Sequence, residues 1–219
     1  MIGVFGGTFN PVHWGHIRTA LEIKKELAMD SMLLVPCGIP PHREEPDIDA
    51  KIRLAMLQAA VADYHELEID DRELKRQGPS YTVDTLQSLR KEHGDIPIGL
   101  CVGVDAFIHL DTWHEWKSLL KLAHIVVAHR PGWPLDSLTQ QLSGELKAVA
   151  MECMTTRPES LTQRSCGLIL PQKVTDIDIS SSDIRQRVAQ GESIAGLVPP
   201  TVLQIIQQLH LYQATEKSE

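Results

Sequence analysis

The chain has little of what marks several classes of protein. Its 21 lysines and arginines are outnumbered by 29 aspartates and glutamates, and this net charge of −8 disfavours nucleic-acid binding through a broad basic face. Its four cysteines are scattered without a C-x-x-C pair, so neither a structural zinc site nor a redox dithiol is indicated. No apolar run approaches the ~20 residues of a membrane span, and the first residues lack a signal-peptide pattern. The sequence therefore predicts a cytoplasmic protein that binds neither nucleic acid nor a membrane.

The patterns that are present alternate between strand and helix. With 219 residues, 42% of them hydrophobic, the chain can build one sizeable α/β core. Short apolar runs alternate with stretches in which apolar residues recur at helical spacing. This alternation predicts a doubly wound α/β fold, in which helices cover a mostly parallel sheet. The predicted strands lie at residues 2–5, 32–35, 66–69, 98–102 and 125–128.

The later part of the chain carries a weaker pattern. A helix is predicted over residues 135–149, followed by strands at 168–170 and 176–179. Two further helices are expected, and the second follows a pair of prolines with apolar residues at i, i+3, i+4 and i+7. We therefore expect residues 1–179 to form the α/β core and residues 180–219 to form a small C-terminal helical subdomain of the same compact unit.

Residues 6–16, with the sequence GGTFNPVHWGH, lie between the first predicted strand and the first predicted helix. Two adjacent glycines allow a sharp turn and a close approach of the backbone to a ligand. His13 and His16 are three residues apart at the helix start, so their imidazoles can face one pocket. The helix amino terminus adds free N–H groups and a partial positive charge, which suit a polyphosphate. An ordinary turn with two surface histidines is the alternative, and it explains this combination poorly.

A second segment, residues 179–185 (ISSSDIR), precedes another predicted helix. Ser180, Ser181 or Ser182 can cap that helix while backbone N–H groups stay free for an anion. Arg185 lies on the first turn, where its guanidinium can grip phosphate oxygens. On its own the segment is explained equally well as a serine cap with no ligand, because such caps are common.

Together the two segments are similar to the signature motifs of the nucleotidyltransferase superfamily, (H/T)-x-G-H and I-S-S-T-x-I-R. Within that superfamily the chain resembles nicotinate mononucleotide adenylyltransferases over nearly its whole length. Two departures are Ser182, where threonine is more usual, and His114, where many relatives have tyrosine. Five further segments carry the resemblance: PPHR at 40–43, GPSYT at 78–82, GVDAF at 103–107, TWHEW at 112–116 and HRPG at 129–132.

The resemblance implies a nucleotide site on a Rossmann-like nucleotidyltransferase sheet. His13, His16 and Arg185 would be the catalytic groups, with His16 the main stabiliser of the transition state. Asp105 would hydrogen-bond the adenosine ribose, although a residue in that position can also be no more than a helix cap. The ATP-binding residues implied in this way are Gly6, Gly7, Thr8, Phe9, His13, His16, Asp105, Ser181 and Arg185.

The resemblance also implies a site for the acceptor. Asn10 would help to hold the acceptor phosphate, and Trp113 would stack on the pyridine ring, with core packing as its alternative role. The acceptor-binding residues implied in this way are Asn10, His42, Arg43, Thr82, Val83, Trp113, His114 and Arg130.

The reaction implied is transfer of the adenylyl group of ATP to nicotinate mononucleotide, which gives deamido-NAD and pyrophosphate. Mg²⁺ is expected on the ATP phosphates, without a dedicated protein metal site. Two alternatives stay open: a related enzyme with another acceptor, such as nicotinamide mononucleotide or phosphopantetheine, and a non-catalytic nucleotide sensor. The sequence also leaves open whether the chain forms a homo-oligomer.

Overall fold

Six strands form one parallel sheet in the computed structural model, which describes residues 1–41, 48–129, 135–142 and 144–214. The order of the strands is β3-β2-β1-β4-β5-β6, and every neighbouring pair is parallel. The chain winds outward from β1 in one direction and from β4 in the other, which confirms the predicted doubly wound α/β fold. The strands are β1 (Ile2–Gly7), β2 (Ser31–Pro36), β3 (Leu67–Ile69), β4 (Ile98–Gly103), β5 (His124–His129) and β6 (Ile169–Lys173).

Helices cover both faces of the sheet, and short 3-10 helices lie at Leu110–Thr112 and Pro158–Thr162. Within the described ranges, no helix combines the length and the apolar character that a membrane span requires. The α-helices are α1 (Trp14–Glu26), α2 (Ala50–Val61), α3 (Thr82–His93), α4 (Val104–Phe107), α5 (Trp116–Leu122), α6 (Leu135–Gln141), α7 (Gly144–Cys153), α8 (Ser181–Ala189) and α9 (Pro200–Gln208).

The sheet separates two apolar cores. Successive side chains of a strand point to opposite faces, so Ile125 and Val127 of β5 belong to one core and Val126 to the other. Side chains of α3, α5 and α7 fill the first core, and those of α1, α2, α8 and α9 fill the second. Helices α8 and α9 therefore pack in the same apolar core as α1, close to the segment between β1 and α1.

Two sequence-based predictions about the later part of the chain are wrong. The helix expected over residues 135–149 is divided into α6 and α7, and Gly144 at the division has a left-handed φ of 54°. The strand expected at 176–179 does not form, and the N–H of Ile179 instead bonds the carbonyl of Ile177. Both isoleucines line a cleft, so their alternation with aspartates reflects that lining and not a strand pairing.

Candidate active site

A cleft of about 1170 Å³ opens at the carboxyl ends of β1, β4 and β5. In a doubly wound sheet this edge, next to the point where the strand order reverses, is where ligands bind. The cleft brings together residues that are up to 180 positions apart in the sequence, from the end of β1 and the segment after it, the start of α4 and the start of α8. The sequence-predicted residues that line it are Gly6, Gly7, Thr8, Phe9, Asn10, His13, His16, Asp105, Ser181 and Arg185.

His13 and His16 form a close pair at the start of α1. Their ring centroids are 3.7 Å apart, and the rings are tilted by 32°. The backbone N–H of His13 donates a hydrogen bond to Nδ1 of His16 at 3.3 Å. Because Nδ1 of His16 accepts that bond, the proton of its neutral ring lies on Nε2. His16 is thus fixed as an N–H donor that lines the cleft.

Burial favours the neutral form of both imidazoles at pH 7. Burial lowers the pKa of His13 to about 4. Burial, and then the nearby His13, lowers the pKa of His16 well below its usual value. In the part of the chain that the structure describes, the buried Nδ1 of His13 has no hydrogen-bond partner. These lowered pKa values, together with the bond to Nδ1 of His16, favour a neutral N–H donor over an imidazolium at this position.

The His13 ring can take its position beside His16 because Gly15 has no side chain. A Cβ atom at position 15 would lie 2.9 Å from both Cε1 and Nδ1 of His13. Contacts that short are strongly repulsive, and a rigid imidazole cannot relieve them without moving. The glycine of the H-x-G-H motif therefore permits the position that the His13 ring takes.

The amino terminus of α8 faces the same cleft. Ser180 is the N-cap, and its Oγ accepts a hydrogen bond from the N–H of Asp183 at 3.0 Å, as the serine-rich segment predicts. The hydroxyl of Ser181 donates to the carbonyl of Pro11 at 2.9 Å. The hydroxyl of Ser181 is thus already engaged, whereas the backbone N–H groups of Ser181 and Ser182 lie at the open end of the helix, where an anion can bind.

Arg185 joins the two motifs. One of its nitrogens, Nη1, donates to the carbonyl of Asn10 at 2.8 Å, and Nη2 donates to Oγ of Ser182 at 3.3 Å. A guanidinium has five N–H donors, so further donors remain for a ligand. Arg185 lines the cleft, and its positive charge is held next to the histidine pair and the α8 amino terminus.

Asp105 extends into the cleft from the first turn of α4. The N-cap of that helix is Gly103, so the carboxylate of Asp105 does not cap it. Asp105 is exposed and lines the cleft. Of the two roles considered from the sequence, the helix cap is excluded, and the carboxylate is accessible to a ligand.

Within the described ranges, no three His, Cys, Asp or Glu residues are grouped so that they could hold a metal ion.

The residues expected around the pyridine ring lie outside the lining of this cleft. Helix α3 begins at Thr82, as predicted, and the Val83 side chain is buried in the core. The ring centroids of Tyr81 and His114 lie 4.3 Å apart. The side chain of Trp113 is half-buried and packs against the same core as Val83. Three other expected acceptor residues, His42, Arg43 and Arg130, lie outside the described residues.

The sequence analysis missed two residues that shape the cleft. Arg53 of α2 is 1% exposed and donates to the carbonyls of Thr8, Cys37 and Gly38 at 2.7, 2.8 and 3.0 Å. It thereby ties the loop after β1 to the loop after β2. The sequence does indicate a buried arginine here, because Met56, Leu57 and Ala60 follow Arg53 at i+3, i+4 and i+7 and lie on the same helix face.

The second missed residue is Tyr212, beyond the end of α9. Its hydroxyl donates to Oδ1 of Asn10 at 2.7 Å. Burial raises the pKa of Tyr212, so the phenol keeps its proton at neutral pH. Nothing in the local sequence pattern indicates this contact, because the two residues are 202 positions apart.

Comparison with known proteins identifies the family of this chain. The family model described as cytidylyltransferase-like matches residues 4–187. A protein of Methylococcus capsulatus is 44% identical over 97% of this chain and 99% of its own length, and one of Acidithiobacillus ferrooxidans is 42% identical over 96% and 95%. Both carry the name probable nicotinate-nucleotide adenylyltransferase.

The fold is also found among solved structures. The nicotinic acid mononucleotide adenylyltransferase of Plasmodium falciparum, complexed with NaAD, superposes with a TM-score of 0.73 over 96% of each chain. At 15% identity this likeness supports the fold alone. The match to the family model spans both motifs of the cleft, and with the two bacterial relatives it settles the family. The chain belongs to the cytidylyltransferase-like family.

Proposed function

We propose that this chain transfers the adenylyl group of ATP to nicotinate mononucleotide and releases deamido-NAD and pyrophosphate. The names of its full-length relatives support this activity. The observation that carries the proposal is the contact of Arg185 with the carbonyl of Asn10. That contact holds the amino terminus of α8 beside the histidine pair of α1, so one cleft presents donors of two motifs to a polyphosphate.

The chemistry needs alignment and charge stabilisation more than acid–base catalysis. An oxygen of the acceptor phosphate attacks the α-phosphorus of ATP in line, the bond from that phosphorus to the bridging oxygen breaks, and pyrophosphate leaves with the electron pair. The nucleophile is already ionised at neutral pH because the second pKa of a phosphate monoester is about 6. No general base is therefore required, and positioning two polyanions is the main task of the protein.

The described residues can be assigned to this task. Nε2–H of His16, whose direction follows from the bond to Nδ1, would stabilise charge that builds on the transferring and leaving phosphates. The N–H groups at the α8 amino terminus and the remaining donors of Arg185 would hold the triphosphate. Asp105 would accept hydrogen bonds from the ribose hydroxyls, and the amide of Asn10 would hold the acceptor phosphate.

The pyridine ring is assigned to the surface around the start of α3. Thr82 and Val83 would offer backbone N–H groups to the carboxylate of nicotinate, because the Val83 side chain is buried. Trp113 and His114 would frame the ring. The proposal also includes His42, Arg43 and Arg130 as ligands of the acceptor, from positions outside the described residues.

Mg²⁺ would enter with ATP and neutralise part of the polyphosphate charge. Among the described lining residues of the cleft, Asp105 is the carboxylate, and one carboxylate cannot form a cage for a cation. A metal carried by phosphates therefore fits the donors better than one held by the protein.

Because ATP is made and used in the cytoplasm, the proposal also places the reaction there. Residues 180–219 would serve as the helical part that supplies the second phosphate-binding motif.

Acceptor choice tests the proposal directly. We expect kcat/KM for nicotinate mononucleotide to exceed that for nicotinamide mononucleotide by at least ~10-fold, about 1.4 kcal/mol of differential binding. The N–H groups at the start of α3 prefer a carboxylate, whereas a neutral amide would direct its own donors at them. The measurement is pyrophosphate release from ATP with each mononucleotide and with phosphopantetheine, in parallel with a reaction that lacks an acceptor.

The results with the different acceptors distinguish the alternative functions. Equal efficiency with the two mononucleotides would reject the acid-specific assignment and leave adenylyl transfer standing. Release with phosphopantetheine alone would indicate a related enzyme. If ATP binds and no acceptor gives pyrophosphate, the chain is a nucleotide sensor and the proposed function is wrong.

Gly15→Ala provides a test of the histidine geometry. The added methyl group would displace the His13 ring, so we expect kcat/KM for ATP to fall at least about tenfold. The matched control is the same substitution in a His13→Ala background, where the clash is absent and Gly15→Ala should cause little further loss. A similar loss in both backgrounds would mean that Gly15 acts on the backbone and not through His13.

A further inference from the structure

The side-chain amide of Asn10 has two ends that differ in what they can offer an anion. Its Nδ2 carries two N–H donors, and its Oδ1 is an acceptor that a phosphate oxygen would repel. Both ends have nearly the same shape, so steric packing alone does not select which end faces the cleft. A hydrogen bond to one end can select it.

The hydroxyl of Tyr212 makes that hydrogen bond. It lies 2.7 Å from Oδ1 of Asn10 and donates to it. With Oδ1 turned toward the phenol, the donors on Nδ2 are directed away from Tyr212. Asn10 itself lines the cleft, so donors that point away from Tyr212 can be offered to a ligand there.

The backbone of Asn10 is fixed independently. Its carbonyl accepts the hydrogen bond of Arg185 at 2.8 Å. The peptide group and the amide are thus held by two different residues of the α8–α9 part of the chain. With the backbone of Asn10 held, its side-chain amide can still rotate. The hydrogen bond from the Tyr212 hydroxyl prevents that rotation.

The segment that carries Tyr212 is built to hold the phenol in place. Leu211 is buried, and its N–H bonds the carbonyl of Ile206 at 3.0 Å. His210 and Tyr212 have left-handed φ angles of 50° and 62°, which are uncommon for residues other than glycine. The Tyr212 ring packs partly buried against the core that contains α1 and α9. Unusual backbone geometry that places one hydroxyl on one site residue points to a role at that site.

We infer that Tyr212 is a positioning residue for the acceptor: its hydroxyl turns the amide of Asn10 so that Nδ2–H donates to the phosphate of the pyridine mononucleotide. The inference rests on the proposed function for the identity of that phosphate. It adds a residue near the end of the fold, outside both sequence motifs, to the determinants of acceptor binding.

Steady-state kinetics of Tyr212→Phe test the inference, because phenylalanine keeps the ring and removes the hydroxyl alone. We expect KM for nicotinate mononucleotide to rise about tenfold, while KM for ATP changes less than about twofold. Tyr64→Phe is the matched control, because the Tyr64 hydroxyl makes no bond in the described part of the chain, and its kinetics should match the wild type. An equal rise in both KM values for Tyr212→Phe, or no change in either, would overturn the inference.

A double-mutant cycle asks whether Tyr212 acts through Asn10. Asn10→Ala alone should raise KM for the mononucleotide, and adding Tyr212→Phe to it should cause no further rise. A further rise of the same size as in the wild-type background would show that the hydroxyl acts by another route, which would contradict the inference.

A second measurement does not depend on turnover. Asn10 is the only asparagine of the 219 residues, so labelling asparagine side chains with nitrogen isotopes gives one amide signal pair in the NMR spectrum. We expect saturating nicotinate mononucleotide to shift this pair in the wild type and in Tyr64→Phe, and to shift it much less in Tyr212→Phe. The same response in all three proteins would overturn the inference. If the wild type releases no pyrophosphate with any acceptor, the proposed function fails, and titration of the same signal with inorganic phosphate still decides whether Tyr212 orients the amide.

Discussion

His16→Ala is expected to lower kcat by at least ~10²-fold, while the Kd for ATP rises much less. The reason is the fixed direction of Nε2–H, which follows from the bond between the His13 N–H and Nδ1 of His16. A donor that is already oriented and partly shielded from water stabilises charge developing in the transition state more than charge in the ground state. Pyrophosphate release gives kcat, and equilibrium binding of ATP gives Kd.

Two further variants make this test specific. His65→Ala removes an exposed histidine far from the motif in sequence and should leave kcat unchanged. His16→Gln can place an amide N–H near the position of Nε2 and should recover part of the lost rate, because a neutral donor is what the site requires. Turnover of a folded His16→Ala protein near the wild-type rate would remove His16 from the mechanism. A glutamine variant as slow as the alanine variant would indicate that a protonated imidazole is needed once ATP is bound.

Arg185→Ala should lower kcat/KM for ATP by roughly 10²-fold, because it would remove both the proposed charge-assisted contact to the triphosphate and the link to the Asn10 carbonyl. Arg187 offers a matched control on the same helix. Its side chain is partly exposed and pairs with Asp183 and Glu192, so Arg187→Ala should keep near-normal kinetics. The measurement is the dependence of initial rate on ATP at a saturating concentration of the mononucleotide.

Arg185→Lys tells the two contributions of this residue apart. Lysine keeps the charge and loses the planar fork that reaches Asn10 and Ser182 at once, so its kcat/KM should fall between those of wild type and Arg185→Ala. If the lysine variant is fully active, charge alone is sufficient. If Arg185→Ala and Arg187→Ala lose activity equally, the effect belongs to helix α8 as a whole and not to the cleft.

The sequence was most informative where local chemistry decides the structure. The change of period from strand to helix predicted the β1–turn–α1 unit. The serine run predicted a serine cap for α8 among Ser180, Ser181 and Ser182, and the structure has it at Ser180. The helix expected over 135–149 failed because apolar spacing continues across Gly144, where the backbone turns left-handed. Helix α4, which carries Asp105, was not predicted, because four residues are too few to show a periodicity.

What the sequence could not give depends on contacts between distant segments. The resemblance implies that Ser181 binds ATP, and only the tertiary fold shows that its hydroxyl donates to the carbonyl of Pro11. The neutral state of the histidine pair follows from burial, and the extent of that burial depends on which parts of the folded chain pack over the rings. Arg53 resembles any helical arginine until the four carbonyls that accept its hydrogen bonds are known.

The links from Asn10 to Arg185 and Tyr212 also bear on how the protein is made. They close loops of 175 and 202 residues, and long-range contacts of this kind form late because the chain entropy of closing them must be overcome first. During synthesis, the residues of β1, α1 and the histidine pair leave the ribosome long before residue 212 has been added. A chain at that stage contains both imidazoles and lacks the two residues that fix Asn10. Adenylyl transfer would therefore begin only when nearly the whole chain has left the ribosome.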